Sequence, residues 1–180
     1  MNLIKSITAA IVIFALTAMS HAASDADTLI LETKTGQVKI ELLPDAAPSH
    51  VERMKSLANS GFYDGLKFHR VIDGFMAQTG DPLGNGTGGS DLPDLKAEFS
   101  DVPFERGTLG MARSNSPNSA NSQFFIMFDS ASHLNGQYTV FGKVTEGMDH
   151  VDQIKKGSSS QNGSVSDPDT IIKMRTADQF

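Results

Sequence analysis

No cysteine occurs anywhere in the 180-residue chain, so neither a disulfide framework nor a thiolate metal site is available to it. Burial alone must hold the fold together. Tryptophan is absent as well, which leaves no indole N–H for any binding site. Basic residues are in deficit, 15 against 21 acidic ones for a net charge of −6. Charge of that sign, scattered along the chain, speaks against nucleic acid or an anionic lipid surface as partner. The five histidines show no H-x-x-x-H spacing, so no metal site is expected. Asp129, His133 and the many serines lack a G-x-S-x-G elbow, which argues against a hydrolase. The cluster Gly84–Gly89 lacks the Lys-Ser/Thr and helix start of a phosphate loop, and reads as a turn-rich loop.

Only one long apolar run exists, and it is N-terminal. Lys5 supplies a short basic region, Ile7 to Ala18 an apolar stretch, and Ser20-His21-Ala22 a small-residue cleavage site. That pattern is a secretory signal peptide over residues 1–22, too short to be a spanning helix, which needs about 20 apolar residues. Export into a bacterial periplasm is expected, after which no membrane attachment remains. Residues 23–27 read as a short flexible start, and residues 28–180 as one domain with a full-sized core.

Within that domain the patterning is mainly β. Val38, Ile40 and Leu42 alternate with Lys39 and Glu41, a period of two that follows Thr33-Lys34-Thr35-Gly36 as the second arm of a hairpin. Pro48 opens a helix whose stripe is Val51, Met54, Leu57 and Ala58, with Gly61 as its stop. Short extended runs follow at 67–71, 75–78, 108–112, 124–127, 139–144 and 170–175, with a second helix over 148–156. Eight short strands with two widely separated helices predict a closed antiparallel barrel rather than βαβ units.

The richest stretch is Phe68 to Asp81. It sets Arg70 and Gln78 among large apolar side chains, and a companion run, Ser122 to Phe128, adds more. Strand alternation puts Val71 on the core face and Arg70 on the other. The same parity separates Phe124 and Ile126 from Gln123 and Phe125, so one pair packs the barrel and the other lines a groove; Phe124 is expected in the core and Phe125 in the groove. The bland alternatives are that Arg70 is a surface cation paired with Asp73, and that Phe75, Met76, Phe124, Phe125 and Phe128 are all core. A greasy pocket with fixed donors and no nucleophile suits a reaction in which no bond to a heavy atom breaks.

These two runs resemble the cyclophilins, a family of peptidyl-prolyl cis–trans isomerases. So do Asp81–Ser90, Leu109-Gly110-Met111-Ala112 and Val140–Val144. The resemblance extends from about Thr28 to about Thr176 and implies the eight-stranded barrel with its helices at the open ends. It also implies that Arg70 is the catalytic group and that Phe75, Met76, Phe125 and Leu134 wall a proline pocket. Gln78, and backbone atoms around Ala112 and Arg113, would bind substrate backbone, while Gln123 lines the groove. His69 belongs to the motif and weighs more as a structural residue than as a contact. His133 stands where the best-known eukaryotic relatives carry the tryptophan that holds cyclosporin, so weak binding of that drug is expected. Tyr138 stands where they have histidine, and Asp73 and Thr79 replace the more usual proline and glycine. The loop Arg113–Ala120 looks like the bacterial branch. Neither cofactor nor metal is implied; the expected partners of this monomer are proline-containing peptides and unfolded or partly folded exported proteins. A peptide-binding module without activity is the alternative class.

Overall fold

The computed structural model describes residues 24–180; the expected leader therefore lies outside the described residues. Eight antiparallel strands form one sheet: β1 (Thr28–Thr33), β2 (Gly36–Leu42), β3 (Arg70–Ile72), β4 (Met76–Thr79), β5 (Thr108–Met111), β6 (Phe124–Met127), β7 (Val140–Glu146) and β8 (Lys173–Thr176). Two helices accompany them, α1 (Pro48–Asn59) and α2 (Met148–Asp152). The order across the sheet is β3-β4-β6-β5-β7-β2-β1-β8.

The expected closed barrel needs correction. β3 and β8 are the two edges of the sheet and do not form a ladder with each other, so the fold is an open half-barrel. The intervening chain fills the seam instead: Phe68 N–H donates to Asp169 O and Val71 N–H to Gly163 O. Lys67↔Thr170 and Arg70↔Ser164 are isolated bridges. This explains why the runs expected over 67–71 and 170–175 begin late as strands. Their first residues bond to loop rather than to a neighbouring strand.

Other boundaries also moved. Residues 25–27, expected to be flexible, form one 3-10 turn, and Ala177 N–H donates to Asp25 O. The second helix stops at Asp152, short of the expected 156, because Lys155 N–H is drawn to Asp169 Oδ2. No helix among the described residues is long and apolar enough to cross a membrane.

Alternation decides which side chains meet. In β2, Val38, Ile40 and Leu42 are buried while Gln37 and Lys39 are exposed. Opposite them, Leu29 pairs with Ile40 and Leu31 with Val38. With Val51, Met54 and Leu57 of α1 they enter one inner cluster. Phe124 joins it, meeting Tyr63 and Phe141 edge-on at 5.5 and 6.0 Å. All four residues of β6 are buried because its outer face is covered too. Phe125 and Met127 enter a second cluster with Met76, Phe104, Ala131, Leu134 and Val140. A single sheet wall separates the two.

Helix α1 begins with no capping side chain of its own. Its first free N–H groups, Ser49 and His50, donate to the Glu98 carboxylate at 3.2 Å each. The buried His50 ring adds a 2.6 Å contact from Nδ1 to Glu98 Oε2. An acidic cap at a helix start meets both the free donors and the positive end of the helix dipole.

Candidate active site

Strand register builds the site. Arg70 on β3 pairs with Gln78 on β4, Gln78 with Phe125 on β6, and Phe125 with Gly110 on β5. Directly paired residues point their side chains to the same side of a sheet, so these four form a row across the outer face. Val71, one residue along from Arg70, is fully buried on the inner side. Gly110 has a steric task in this row. A Cβ there would sit 2.5 Å from Phe125 Cζ and 2.6 Å from Phe104 Cε1. Its absence lets these two stacked rings, 5.7 Å apart, lie against the β5 backbone as a floor.

Over that floor lies a cleft of about 500 Å³ lined by Arg70, Phe75, Met76, Gln78, Ala112, Arg113, Phe125, His133, Leu134 and Tyr138, together with Gln137. His133 stacks on Phe75 with ring centres 5.9 Å apart. Tyr138 meets Phe125 edge-on, and the Arg113 guanidinium lies 4.3 Å over the Tyr138 ring. Arg113 is tied down further by donating to Ser114 O and Gln137 O. Ala112 contributes a wall, but its N–H is already donated to Gln123 O.

Gln123 lines a second hollow of about 480 Å³ that shares Gln78, Ala112 and Arg113 with the first. A hydrogen-bond relay joins the two hollows. Gln123 Nε2 donates to Gly88 O at 2.8 Å, Gln78 Nε2 to Gln123 Oε1 at 2.9 Å, and Arg70 Nη1 to Gln78 Oε1 at 3.2 Å. The carbonyl of Gly88 is placed by the Asp81 carboxylate, which is buried and accepts the N–H groups of Leu83, Asn85 and Gly86. Burial pushes the Asp81 pKa up, but those donations outweigh it and hold the carboxyl below its ordinary value.

His69 lines neither hollow. It is buried near Gly86, and burial depresses its pKa. Arg70 does not pair with Asp73 as the bland reading had it. Its Nε donates to Asn162 O at 3.0 Å and its Nη2 to Asn162 Oδ1 at 2.9 Å. Burial lowers the guanidinium pKa, with the nearby Tyr138 opposing, yet arginine starts so high that the charge persists. Thr79, departing from glycine, is buried and donates to Lys67 O at 2.9 Å. No cluster of metal-ligating side chains occurs among the described residues.

Asn162, Gln137, Phe104 and the task of Gly110 are not apparent from sequence. Asn162-Gly163 is a recognisable turn dipeptide, but its partner lies 92 positions away.

Comparison with known proteins gives this geometry a family. The family model for cyclophilin type peptidyl-prolyl cis-trans isomerases matches residues 28–176. A protein of Brucella suis biovar 1, named a probable peptidyl-prolyl cis-trans isomerase, is 60% identical over 165 residues, covering 86% of this chain and 84% of its own. Peptidyl-prolyl cis-trans isomerase B of Bacillus subtilis is 46% identical over 123 residues, 67% of this chain and 85% of that one. Among solved structures, cyclophilin AquaCyp293 from Hirschia baltica superposes with a TM-score of 0.78 at 27% identity, covering 88% and 76% of the two chains. A Cryptosporidium parvum cyclophilin type isomerase, solved in the presence of the dipeptide Ala-Pro, gives 0.75 at 30% identity over 83% and 98%. The family model's match over residues 28–176 and the relatives at 60% and 46% identity, with the half-barrel shared with solved cyclophilins, place the chain in the cyclophilin family, as a peptidyl-prolyl cis-trans isomerase.

Proposed function

We propose that Arg70 drives the isomerisation by favouring the half-turned Xaa–Pro bond over either planar form. Amide resonance sets a barrier of about 18–20 kcal/mol to that rotation. At the top of the barrier the proline nitrogen is pyramidal and regains a lone pair that neither ground state offers. A donor aimed at this nitrogen therefore binds the transition state selectively, which is what acceleration requires. The observation that carries the reading is the tethering of Arg70. A guanidinium has five N–H groups, and the bonds to Asn162 and Gln78 engage three of them. One N–H on each Nη is left for substrate.

Phe75, Met76, Phe125 and Leu134 hold the proline ring and keep water from the new hydrogen bond, which strengthens it. A thousandfold gain needs about 4 kcal/mol; one charge-assisted hydrogen bond contributes roughly 1.5–3 kcal/mol, and confinement supplies the remainder. The clients are exported proteins in the periplasm, a reading supported by the sequence of residues 1–22.

The deciding measurement is the exchange rate of an Xaa-Pro peptide with wild type and with Arg70→Ala. The variant is expected to lose most of the acceleration while keeping its urea midpoint. Equal rates would end the proposed role of Arg70. His133 in place of tryptophan predicts weak inhibition by cyclosporin; tight inhibition in a titration would refute this.

A further inference from the structure

The seam of the half-barrel is filled by the turn from Gly157 to Ser164. It is stitched to β3 on both sides: Gly157 N–H donates to Val71 O, and Val71 N–H donates to Gly163 O, each at 2.8 Å. Gly163 lies so close to β3 that a Cβ would meet Ile72 Cγ1 at 2.5 Å. Just before it, Asn162 adopts a left-handed backbone, φ 53°, a conformation open to Gly, Asn and Asp and costly for most other residues. In that conformation Asn162 turns both its carbonyl and its side-chain oxygen onto one edge of the Arg70 guanidinium, Nε at 3.0 Å and Nη2 at 2.9 Å. Two acceptors on one edge of a planar fork fix its tilt as well as its place. Gln78 holds the other edge through Nη1.

We infer that Asn162 is a positioning residue for isomerisation: its paired acceptors set the plane of the Arg70 guanidinium so that the remaining N–H groups meet the proline nitrogen. This rests on the role proposed for Arg70. Asn162 is not among the residues lining the cleft and acts through Arg70. Its bonds are solvent-exposed, so their contribution to overall stability is small. A competing account makes them a tether for a surface turn and nothing more.

Two substitutions separate these accounts because both keep the left-handed backbone. Asn162→Gly deletes the side-chain acceptor, whereas Asn162→Asp retains an oxygen in its place. Rates at saturating Xaa-Pro peptide are measured by NMR exchange, alongside a urea melt and the Arg70 guanidinium NMR signals. Asn162→Gly is expected to lower kcat roughly tenfold, the order expected for losing a hydrogen bond to a charged group. KM should stay within about twofold and the urea midpoint should not move. The Arg70 Nη signals, separate in wild type through hindered rotation, should merge in Asn162→Gly and stay separate in Asn162→Asp, whose kcat should recover.

The inference is overturned if Asn162→Gly matches wild type in kcat, or if Asn162→Asp is as slow as Asn162→Gly. It is overturned equally if the rate falls only together with the urea midpoint, which marks a structural tether. A wild type that fails to accelerate exchange, or an Arg70→Ala variant as fast as wild type, removes the underlying reading and this inference with it. Those outcomes are distinct from a failure confined to Asn162.

Discussion

Gly110 shows how much a missing methyl group can decide. The Phe104 and Phe125 rings occupy the space that a Cβ at this position would need. Gly110→Ala must lift at least one ring into the cleft, because the alternative is to move the β5 backbone between its two partners. The expected result is a protein that folds, melts within ~2 kcal/mol of wild type, and isomerises Xaa-Pro peptides at least tenfold more slowly. A variant as active as wild type would show that the floor is not where substrate sits. The sequence revealed Gly110 only as part of a motif, since its two neighbours come from distant segments. Strand parity made Arg70 legible as an outward position and separated Phe124 from Phe125, whereas Gln78 was legible only through the family resemblance. The partner of Arg70 was not, because parity says nothing about which loop arrives from across the seam.

Among the elements, α1 was the clearest in sequence, from Pro48 to its stop at Gly61, yet what caps it could not be read there. Glu98 lies in an irregular stretch 48 residues from His50, and no period marks it. Removing its carboxylate leaves the Ser49 and His50 donors unsatisfied, so Glu98→Ala is expected to cost about 1–3 kcal/mol in a urea melt. The pair also makes stability depend on pH. Burial depresses the His50 pKa, with Glu98 opposing. Burial raises that of Glu98, but the donations from His50 and Ser49 outweigh it and the net direction is down. For both groups the folded state binds fewer protons than the unfolded chain. Stability is therefore full above the ordinary imidazole value of about 6.5 and declines as pH falls from there toward the folded pKa of His50, with a further loss as Glu98 is protonated in the acid range. Between about pH 7.5 and 5.5 the wild-type urea midpoint should drop, and His50→Asn, which does not titrate, should reduce the change to the part that His69, also depressed by burial, contributes. An unaltered pH profile in the variant would assign the effect elsewhere.

For the whole molecule, eight short strands and two helices were legible, whereas the way the sheet ends was not. Patterning gives the number of strands and which faces are apolar; whether the two edge strands reach each other depends on where the 157–171 segment lies. That segment carries few apolar residues and no period, so its place in the seam had no sequence signature. Composition does carry one prediction at this scale. With no cysteine and an N-terminal export pattern, the mature protein is expected in the periplasmic fraction beginning at Ala23, with a melting temperature indifferent to reductant. Recovery of the full-length chain from the cytosol would refute the leader. The two-sided burial of β6 has a consequence for divergence. Because one thickness of backbone parts Phe124 from Phe125, a substitution on the outer face disturbs the second cluster while leaving the packing of the inner one in place. Each face of this one strand thus answers to its own set of neighbours, and a change on one side need not be matched by a change on the other.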